Sequence, residues 1–492
     1  MKNVEKRVLA FDFGASSGRA ILGIYDGKTI RLQEIHRFSN DPVTVQGTMY
    51  WDILRLFHEV KQSLSRAQAA GGIDSIGVDT WGVDFGLLDA AGRLMENPIH
   101  YRDTRTQGML CKSFAKIDKA QFYEITGNQF MEINTAFQLL SLAEKRSEFL
   151  GRAATMLLMP DLLNYLLSGV KTTEFSIAST TQLLDAKTGS WSKKVINALG
   201  LPENLFTEIV SCGTKIGEIS DELSAELGLV KAAVIAVAGH DTQSAMVAVP
   251  TVEQNFIFLS CGTWSLLGTE LDRPQIDALS ERYNITNEGG YQQKTSFLKN
   301  IIGLWLIQES RRQWLREGME YSFVTLEEMA KKALPLRSLI DPDAPEFIAA
   351  GNIPERIRQF CRRSGQAVPQ TAGEIVRCIN ESLALKYCYV LEQLEECTGR
   401  KYPAIHMVGG GTQSSLLCQF TANACDCKVM AGPVEATVLG NIVLQLIAAG
   451  SIPDLATGRR IVAESQPVIE FRPQDRSLWE EAYKKFKELI LC

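Results

Sequence analysis

The feature that most constrains this chain is a pattern that occurs twice. Arg7-Val-Leu-Ala-Phe-Asp-Phe-Gly14 reads as an apolar strand ending in a turn, and Arg19-Ala-Ile-Leu-Gly-Ile-Tyr25 as its hairpin partner. Asn255-Phe-Ile-Phe-Leu-Ser-Cys-Gly262 and Thr263-Trp-Ser-Leu-Leu-Gly268 repeat the arrangement. Asp12-x-Gly14 in one copy matches Ser260-x-Gly262 in the other, 248 residues away in a chain of 492. A recurrence over half the chain implies internal duplication, which has to be considered before any fold is assigned.

What surrounds each copy sets the fold class. After the first hairpin, Asp26-Gly27 closes a tight turn before a strand over Ile30–Phe38. The segment Asp52–Ala70 places Ile53, Leu56, Val60, Leu64 and Ala67 on one helical face, and Ile73–Thr80 is a further strand. Three hairpin strands, a crossover helix and another strand make an α/β unit. A long section over 97–231 mixes helices with polar loops. Within it, Leu157–Gly169 reads as a short strand and a helix stopped by Gly169. The second half predicts helices over Lys299–Trp314, Ala372–Glu396 and Pro433–Ala449, a strand over Ile405–Val408, and a Gly409–Gln413 turn that opens another helix. At 54.5 kDa the chain exceeds what a single core fills. The division expected is 1–245 and 246–492, with the boundary near residues 243–254.

Several function classes are excluded early. A net charge of -6 offers no basic surface for nucleic acid. No run approaches the ~18 apolar residues of a membrane span, and the short apolar run behind the charged N-terminus carries Asp12, unlike a secretory leader. A cytoplasmic protein is expected, with no membrane and no nucleic-acid partner; the oligomeric state is not legible. Eleven cysteines with no CxxC pair suggest reduced thiols. Cys425 and Cys427 would point to opposite faces of a strand, and Cys361 and Cys378, on neighbouring predicted helices, are placed to meet.

The chemistry concentrates at strand ends. Val234-Ile-Ala-Val-Ala is a buried strand in pattern and ends in Gly239-His240-Asp241-Thr242, polar groups at a carboxyl end, where α/β sheets place ligands. Asp241 equally suits the N-cap of a helix beginning near Gln243. Both hairpin turns suit a phosphate chain, because glycine permits close backbone approach and turn N–H groups form an anion-binding concavity. The first turn, Ala15-Ser16-Ser17-Gly18-Arg19, adds hydroxyls and a guanidinium, and Asp12 is placed to hold the Mg²⁺ that accompanies ATP, directly or through water. No GxxxxGK[ST] occurs, so gripping ATP falls to the two hairpins. Trp81, beside a polar residue, suits a sugar face or the core. The five His residues show no ligand spacing, so His240 reads as a substrate-orienting or hydrogen-bonding group.

These stretches together resemble the FGGY carbohydrate kinases of the actin-like ATPase superfold. The resemblance is carried by Phe11-Asp-Phe-Gly-Ala-Ser-Ser-Gly-Arg19, Asp79-Thr-Trp-Gly-Val-Asp-Phe85, Tyr101-Arg-Asp103, Leu158-Met-Pro-Asp161, Gly239-His-Asp-Thr242, Gly262-Thr-Trp-Ser265, Asn284-Ile-Thr-Asn-Glu-Gly-Gly290, Leu298–Leu306 and Val408-Gly-Gly-Gly411. Thr-Trp-Gly-Val-Asp combined with Asn-Ile-Thr-Asn-Glu-Gly-Gly is similar to the branch that acts on L-rhamnulose. The Gln-Met-His-Gly stretch of xylulokinase-like chains is absent near Trp81.

The resemblance implies an α/β fold of two duplicated actin-like (ribonuclease H-like) domains with an interdomain catalytic cleft. The N-terminal domain would bind the sugar and carry the first phosphate hairpin, and the C-terminal domain would bind the nucleotide. The activity implied is transfer of a phosphoryl group from Mg-ATP to the C1 hydroxyl of L-rhamnulose. Asp241 is implied as the base; Gly82, His240, Thr242 and Asn300 would surround the ketose; and Ala15, Ser16, Ser17, Gly18, Arg19, Thr263, Gln308 and Gly410 would contact ATP. A kinase for another ketose or polyol, or a chaperone-like or filament-forming ATPase of the same superfold, are the alternatives.

Overall fold

The computed structural model describes residues 5–491. In chain order the elements that matter are β1 (Lys6–Phe13), β2 (Ser17–Tyr25), β3 (Ile30–Ser39), α1 (Ile53–Ala69), β4 (Ser75–Thr80), β5 (Phe85–Leu88), β6 (Thr155–Leu158) and α2 (Met159–Ser168). There follow α3 (Phe175–Ala178), β7 (Thr214–Glu218), β8 (Ala233–Ala236), α4 (Asp241–Val247), β9 (Ile257–Cys261), β10 (Trp264–Leu271), β11 (Thr286–Gly289) and β12 (Thr295–Ile302). The remainder is α5 (Trp305–Arg316), α6 (Ala372–Thr398), β13 (Ala404–Val408), α7 (Ser415–Cys425), β14 (Lys428–Ala431), α8 (Ala436–Ala448), α9 (Leu455–Ser465), β15 (Ile469–Phe471) and α10 (Arg476–Leu491).

Two compact units result. One is Met1–Val252 with Glu270–Phe297 and Ala436–Ser465; the other is Glu253–Thr269 with Leu298–Glu435 and Gln466–Cys492. Each is discontinuous, which one cut at 245/246 does not express. The reason is visible in the first unit, where α8 closes the core built by the N-terminal strands. Gln445 donates to the Leu9 carbonyl and accepts from Ser75 Oγ, and Asn441 donates to Asp79. Two amides one helical turn apart thus satisfy buried strand groups that apolar residues would leave unpaired.

The first sheet runs β7-β8-β4-β1-β2-β3. β4 lies parallel to both β1 and β8, while β2 and β7 add antiparallel strands on either side. The second unit has its strands in the order β12-β10-β9-β13-β14-β15. Here β13 lies parallel to β9 and β14, and β10 and β15 are the antiparallel additions. β1, β2, β4, β8 and β7 therefore correspond to β9, β10, β13, β14 and β15, and the duplication read from the two hairpins extends through each sheet. A further apolar core in the first unit, including Phe122, Phe137, Leu158 and Ile177, fills its helical section.

Local signals placed most elements. α1 is capped by Asp52 and buries Ile53, Leu56, Val60, Leu64 and Ala67, the five expected positions. α2 ends at Gly169 in the left-handed region, and α6 starts from a capping box of Thr371 and Glu374. Two expectations are corrected. Residues 299–302 belong to strand β12, and the helix starts only at Trp305; the β-branched pair Ile301-Ile302 finds a sheet position, and Gly303 separates the two elements. Cys425 and Cys427 do not share a strand: Cys425 ends α7, Asp426 takes the left-handed conformation (φ 48°), and the turn brings the Cys427 thiol close to that of Cys425. The Cys361 and Cys378 thiols lie close enough to shift each other's ionisation, without a bridge: the described cysteines are free thiols. No described helix is long and apolar enough to cross a membrane.

Candidate active site

In the first unit the ends of β1, β4 and β8 bring carboxylates together. Asp12 and Asp79 are register partners on neighbouring parallel strands, and Thr80 donates its N–H to the Gly239 carbonyl, which aligns the segment after β8 with the end of β4. Asp241 follows at the start of α4. It is the first residue of the helix rather than its cap: His240 holds the N-cap position and makes no side-chain capping bond. Asp241 therefore projects from the first turn, where a carboxylate is favoured by the helix dipole. Its side chain is 32 % exposed, enough for one face of the carboxylate to meet a substrate.

Burial pushes the Asp241 pKa up to about 6, opposed by the neighbouring His240 and reinforced by repulsion from Asp12. Asp79 has no exposed surface, and burial first, then repulsion from Asp12, raises its pKa well above the ordinary carboxylate range. Asn441 Nδ2 donates to its Oδ2 at 2.6 Å, while Oδ1 lacks a hydrogen-bond partner. A protonated acid between two carboxylates avoids stacking three negative charges in a poorly solvated space.

Arg19, read as a phosphate contact, lies with Nε and Nη2 at 2.9 and 2.7 Å from Asp12 Oδ2. The turn before it is closed by Gly14 N–H on the Ser17 carbonyl, and Asn40 engages the Gly14 and Ser16 carbonyls. Ala15 to Gly18 thereby form a constrained loop beside Asp12. Gly82 lies in the bend after β4 against Thr180. It precedes Val83, a β-branched residue at φ 67°, held by Thr180 Oγ1 at its N–H and by Thr135 Oγ1 at its carbonyl. Such a conformation costs roughly 1–3 kcal/mol and persists only where its surroundings impose it.

Trp81 belongs to the core. Its ring centroid is 4.1 Å from that of Trp51, and both indole N–H groups donate to Asp84 Oδ2, at 3.0 and 2.6 Å. Tyr101 N–H bonds the same oxygen, and Gln138 Nε2 the other. Burial raises the Asp84 pKa to about 6, against the lowering effect of Trp51 and Gln138. Because the folded value lies above the ordinary 3.8, Asp84 adds stability below pH 4 that is lost as pH rises through about 6. The displacement is worth about 3 kcal/mol. In denaturant titrations between pH 4 and 7, the stability difference between wild type and Asp84→Asn should shift toward the variant by about that amount. A difference that stays constant across this window would contradict the assignment.

In the second unit, Thr263 sits in the β9–β10 turn. Its Oγ1 donates to Gln308 Oε1 at 3.2 Å, and its carbonyl accepts from Gly303 and Trp305 at the start of α5. Gly411 packs so closely on Cys261 that a Cβ would lie 2.2 Å from Sγ, which seats the Gly409–Gly411 loop on the end of β9. Gly410 is exposed at the top of that loop. Thr263, Gln308 and this loop therefore share one edge. Asn300 lies on β12 next to partly buried Lys299, whose pKa is lowered to about 8 by desolvation.

Three groups at these sites were not assigned a role from the sequence. Asp79 and Glu288 lay within stretches that stood out, yet each meets its partner, Asn441 or His240, far along the chain. Glu174, the cap of α3, carried no signal. It accepts from Ser176 N–H and Oγ, Ile177 N–H, Cys212 Sγ and Gly239 N–H, and so anchors the residue before His240.

Comparison with known proteins shows the family. The family models described as the N- and C-terminal domains of the FGGY family of carbohydrate kinases match residues 7–248 and 257–449. A rhamnulokinase of Bacteroides thetaiotaomicron is 43 % identical over 488 residues, covering 99 % of this chain and 100 % of the relative. One from Halalkalibacterium halodurans is 39 % identical over 470 residues, 95 % and 99 % of the two chains. Among solved structures, the xylulose kinase of Lactobacillus acidophilus superposes with a TM-score of 0.81 at 18 % identity, covering 98 % of this chain and 97 % of the other. Plasmodium falciparum glycerol kinase with ADP gives 0.79 at 17 %, covering 99 % of both.

Proposed function

Because this chain belongs to the FGGY family of carbohydrate kinases, we propose that it phosphorylates L-rhamnulose at the C1 hydroxyl with ATP, and that Asp241 is the base. The observation that carries the mechanism is Asp241 itself, half-open at the first turn of α4 with its pKa pushed to about 6. Such a carboxylate is mainly ionised at neutral pH and close enough to it to accept a proton efficiently. Phosphoryl transfer passes through a loose transition state, so the protein aligns donor and acceptor while the base takes the hydroxyl proton. His240, Thr242 and Gly82 are the ketose contacts of the first unit in this reading, and Asn300 that of the second. Thr242 Oγ1 donates to Asp241 Oδ1 at 3.2 Å and helps fix the rotamer of the base.

The groups assigned to ATP are the Ala15–Arg19 loop of the first unit and Thr263, Gln308 and Gly410 of the second. Among the described residues no set of three His, Cys, Asp or Glu side chains forms a metal cage. That suits Mg²⁺ carried in with ATP, which is usually held by one or two carboxylates together with phosphate oxygens and water. Asp12 fits the role, since its carboxylate is a hard oxygen donor, steadied by the Arg19 bonds to its Oδ2. Bound there, the ion would neutralise charge on the phosphates.

The deciding experiment is ADP release measured across a panel of ketoses and polyols. L-Rhamnulose is expected to stimulate it most, with the product carrying phosphate at C1. Preference for another sugar would move the assignment elsewhere in the family. Stimulation by peptide or by polymerisation, without any sugar effect, would reject a metabolic kinase.

A further inference from the structure

Glu288 lies on β11, 47 residues beyond the base, with only 4 % of its surface exposed. Its Oε2 is 3.0 Å from His240 Nδ1, and the opposite ring nitrogen, Nε2, is 3.5 Å from Asp241 Oδ1. The Nδ1 contact departs from linear hydrogen-bond geometry, which makes it an ion pair first. Gln243 Nε2 donates to the same Oε2 at 3.1 Å, and Ser296 Oγ fixes Gln243 by donating to its Oε1 at 2.7 Å. The imidazole is therefore held edge-on between two carboxylates.

We propose that Glu288 is a positioning residue that acts through His240, keeping this imidazole cationic and directed at the carboxylate of Asp241. The inference rests on the reading of Asp241 as the base. A neutral imidazole has one N–H, so between two carboxylates one nitrogen lone pair would face an anion; only the doubly protonated ring turns positive charge toward both. Other groups near the ring point the same way. Glu174, from the cap of α3, adds negative charge, while Ser176 Oγ accepts the backbone N–H of His240 and fixes the residue's place without touching the ring's charge. Although burial alone would lower the His240 pKa, the surrounding carboxylates, Glu288 foremost, raise it above the ordinary value.

The consequence falls on the base. Around Asp241, burial and Asp12 on β1 favour protonation, Asp79 on β4 is a further acid, and Arg19 is directed to Asp12. The imidazolium of His240 is the group that holds Asp241 ionised at neutral pH. With the charge of Glu288 removed, the ring loses its main counter-ion, and Asp241 retains its proton to higher pH.

The test is the pH dependence of kcat and kcat/KM for the ketose in wild type, Glu288→Gln and Glu288→Asp. In Glu288→Gln the acid limb of kcat/KM should move up by about one pH unit, the lower end of what an adjacent charge produces. The loss would be about tenfold on the acid side and largely recovered in alkali. Glu288→Asp keeps the charge and should keep the limb near its wild-type position even where its shorter reach lowers kcat. A uniform loss at every pH, or a higher KM with an unmoved limb, overturns the proposal. Ring ¹⁵N shifts of His240 in the wild-type protein provide a measurement independent of whether a variant folds: a doubly protonated ring at pH 7.5 supports it, and a neutral ring overturns it. Should Asp241→Asn retain turnover, the base assignment itself fails, whatever Glu288 does.

Discussion

Asp241→Asn is expected to lower kcat by about 10²–10⁴-fold, the range that a positioned general base supplies, while ATP affinity changes by no more than a few-fold. The substitution keeps the shape of the side chain and an oxygen able to accept the Thr242 hydroxyl, so the α4 turn need not rearrange. The amide lacks the basicity that takes the hydroxyl proton. Single-turnover kinetics with the preferred ketose, beside equilibrium binding of a nucleotide analogue, separate the two effects. Turnover within tenfold of wild type would remove Asp241 from the chemistry; an equal loss of nucleotide binding would make its role structural.

The second large effect lies outside the catalytic groups. Gly440 on α8 faces α4 so closely that a Cβ there would lie 1.7 Å from the Ser244 carbonyl oxygen and 2.7 Å from its carbon. Both obstacles are backbone, so no rotamer change relieves the overlap. Gly440→Ala must separate the two helices, at a cost near the upper end of overpacking, about 3 kcal/mol. That corresponds to a fall of several degrees in Tm. Because α4 begins at Asp241, the displacement also reaches the base, and a shift of about 1 Å costs on the order of 100-fold in rate. Calorimetry and kcat measured on the same preparation should fall together; full activity at an unchanged Tm would show that the helices accommodate a methyl group.

How much of this was legible in the sequence follows from how local each determinant is. Asp52 caps α1 three residues from the N–H it accepts, and the 3.6-residue period of its apolar side chains needs no knowledge of the rest of the chain. The hairpins were legible for the same reason, since β1 and β2 are joined by one short turn. β12 was misread because Leu298–Leu306 also fits a helical period, and what decides in favour of a strand is a sheet position supplied from elsewhere in the chain. Asp241 stood out because a strand ends there in charged groups. Its supporting shell was not: Glu174 reaches Gly239 across 65 residues, Asn441 reaches Asp79 across 362, and Glu288 reaches His240 across 48. Only the folded chain brings those partners together.

The discontinuity of the units has a consequence for synthesis. The chain passes from one unit to the other after Val252, Thr269, Phe297, Glu435 and Ser465. A ribosome that has released the first 252 residues has delivered the base and all six strands of the first sheet, but not α8, whose amides satisfy Ser75, Asp79 and the Leu9 carbonyl. Nearly two hundred further residues must emerge before that helix can dock. The nascent first unit therefore waits with buried-type polar groups and the α8 face of its core open to water. An arrest series whose stall sites run from before residue 436 to well beyond residue 448 should show protease resistance of the N-terminal segment appearing only once α8 is clear of the exit tunnel.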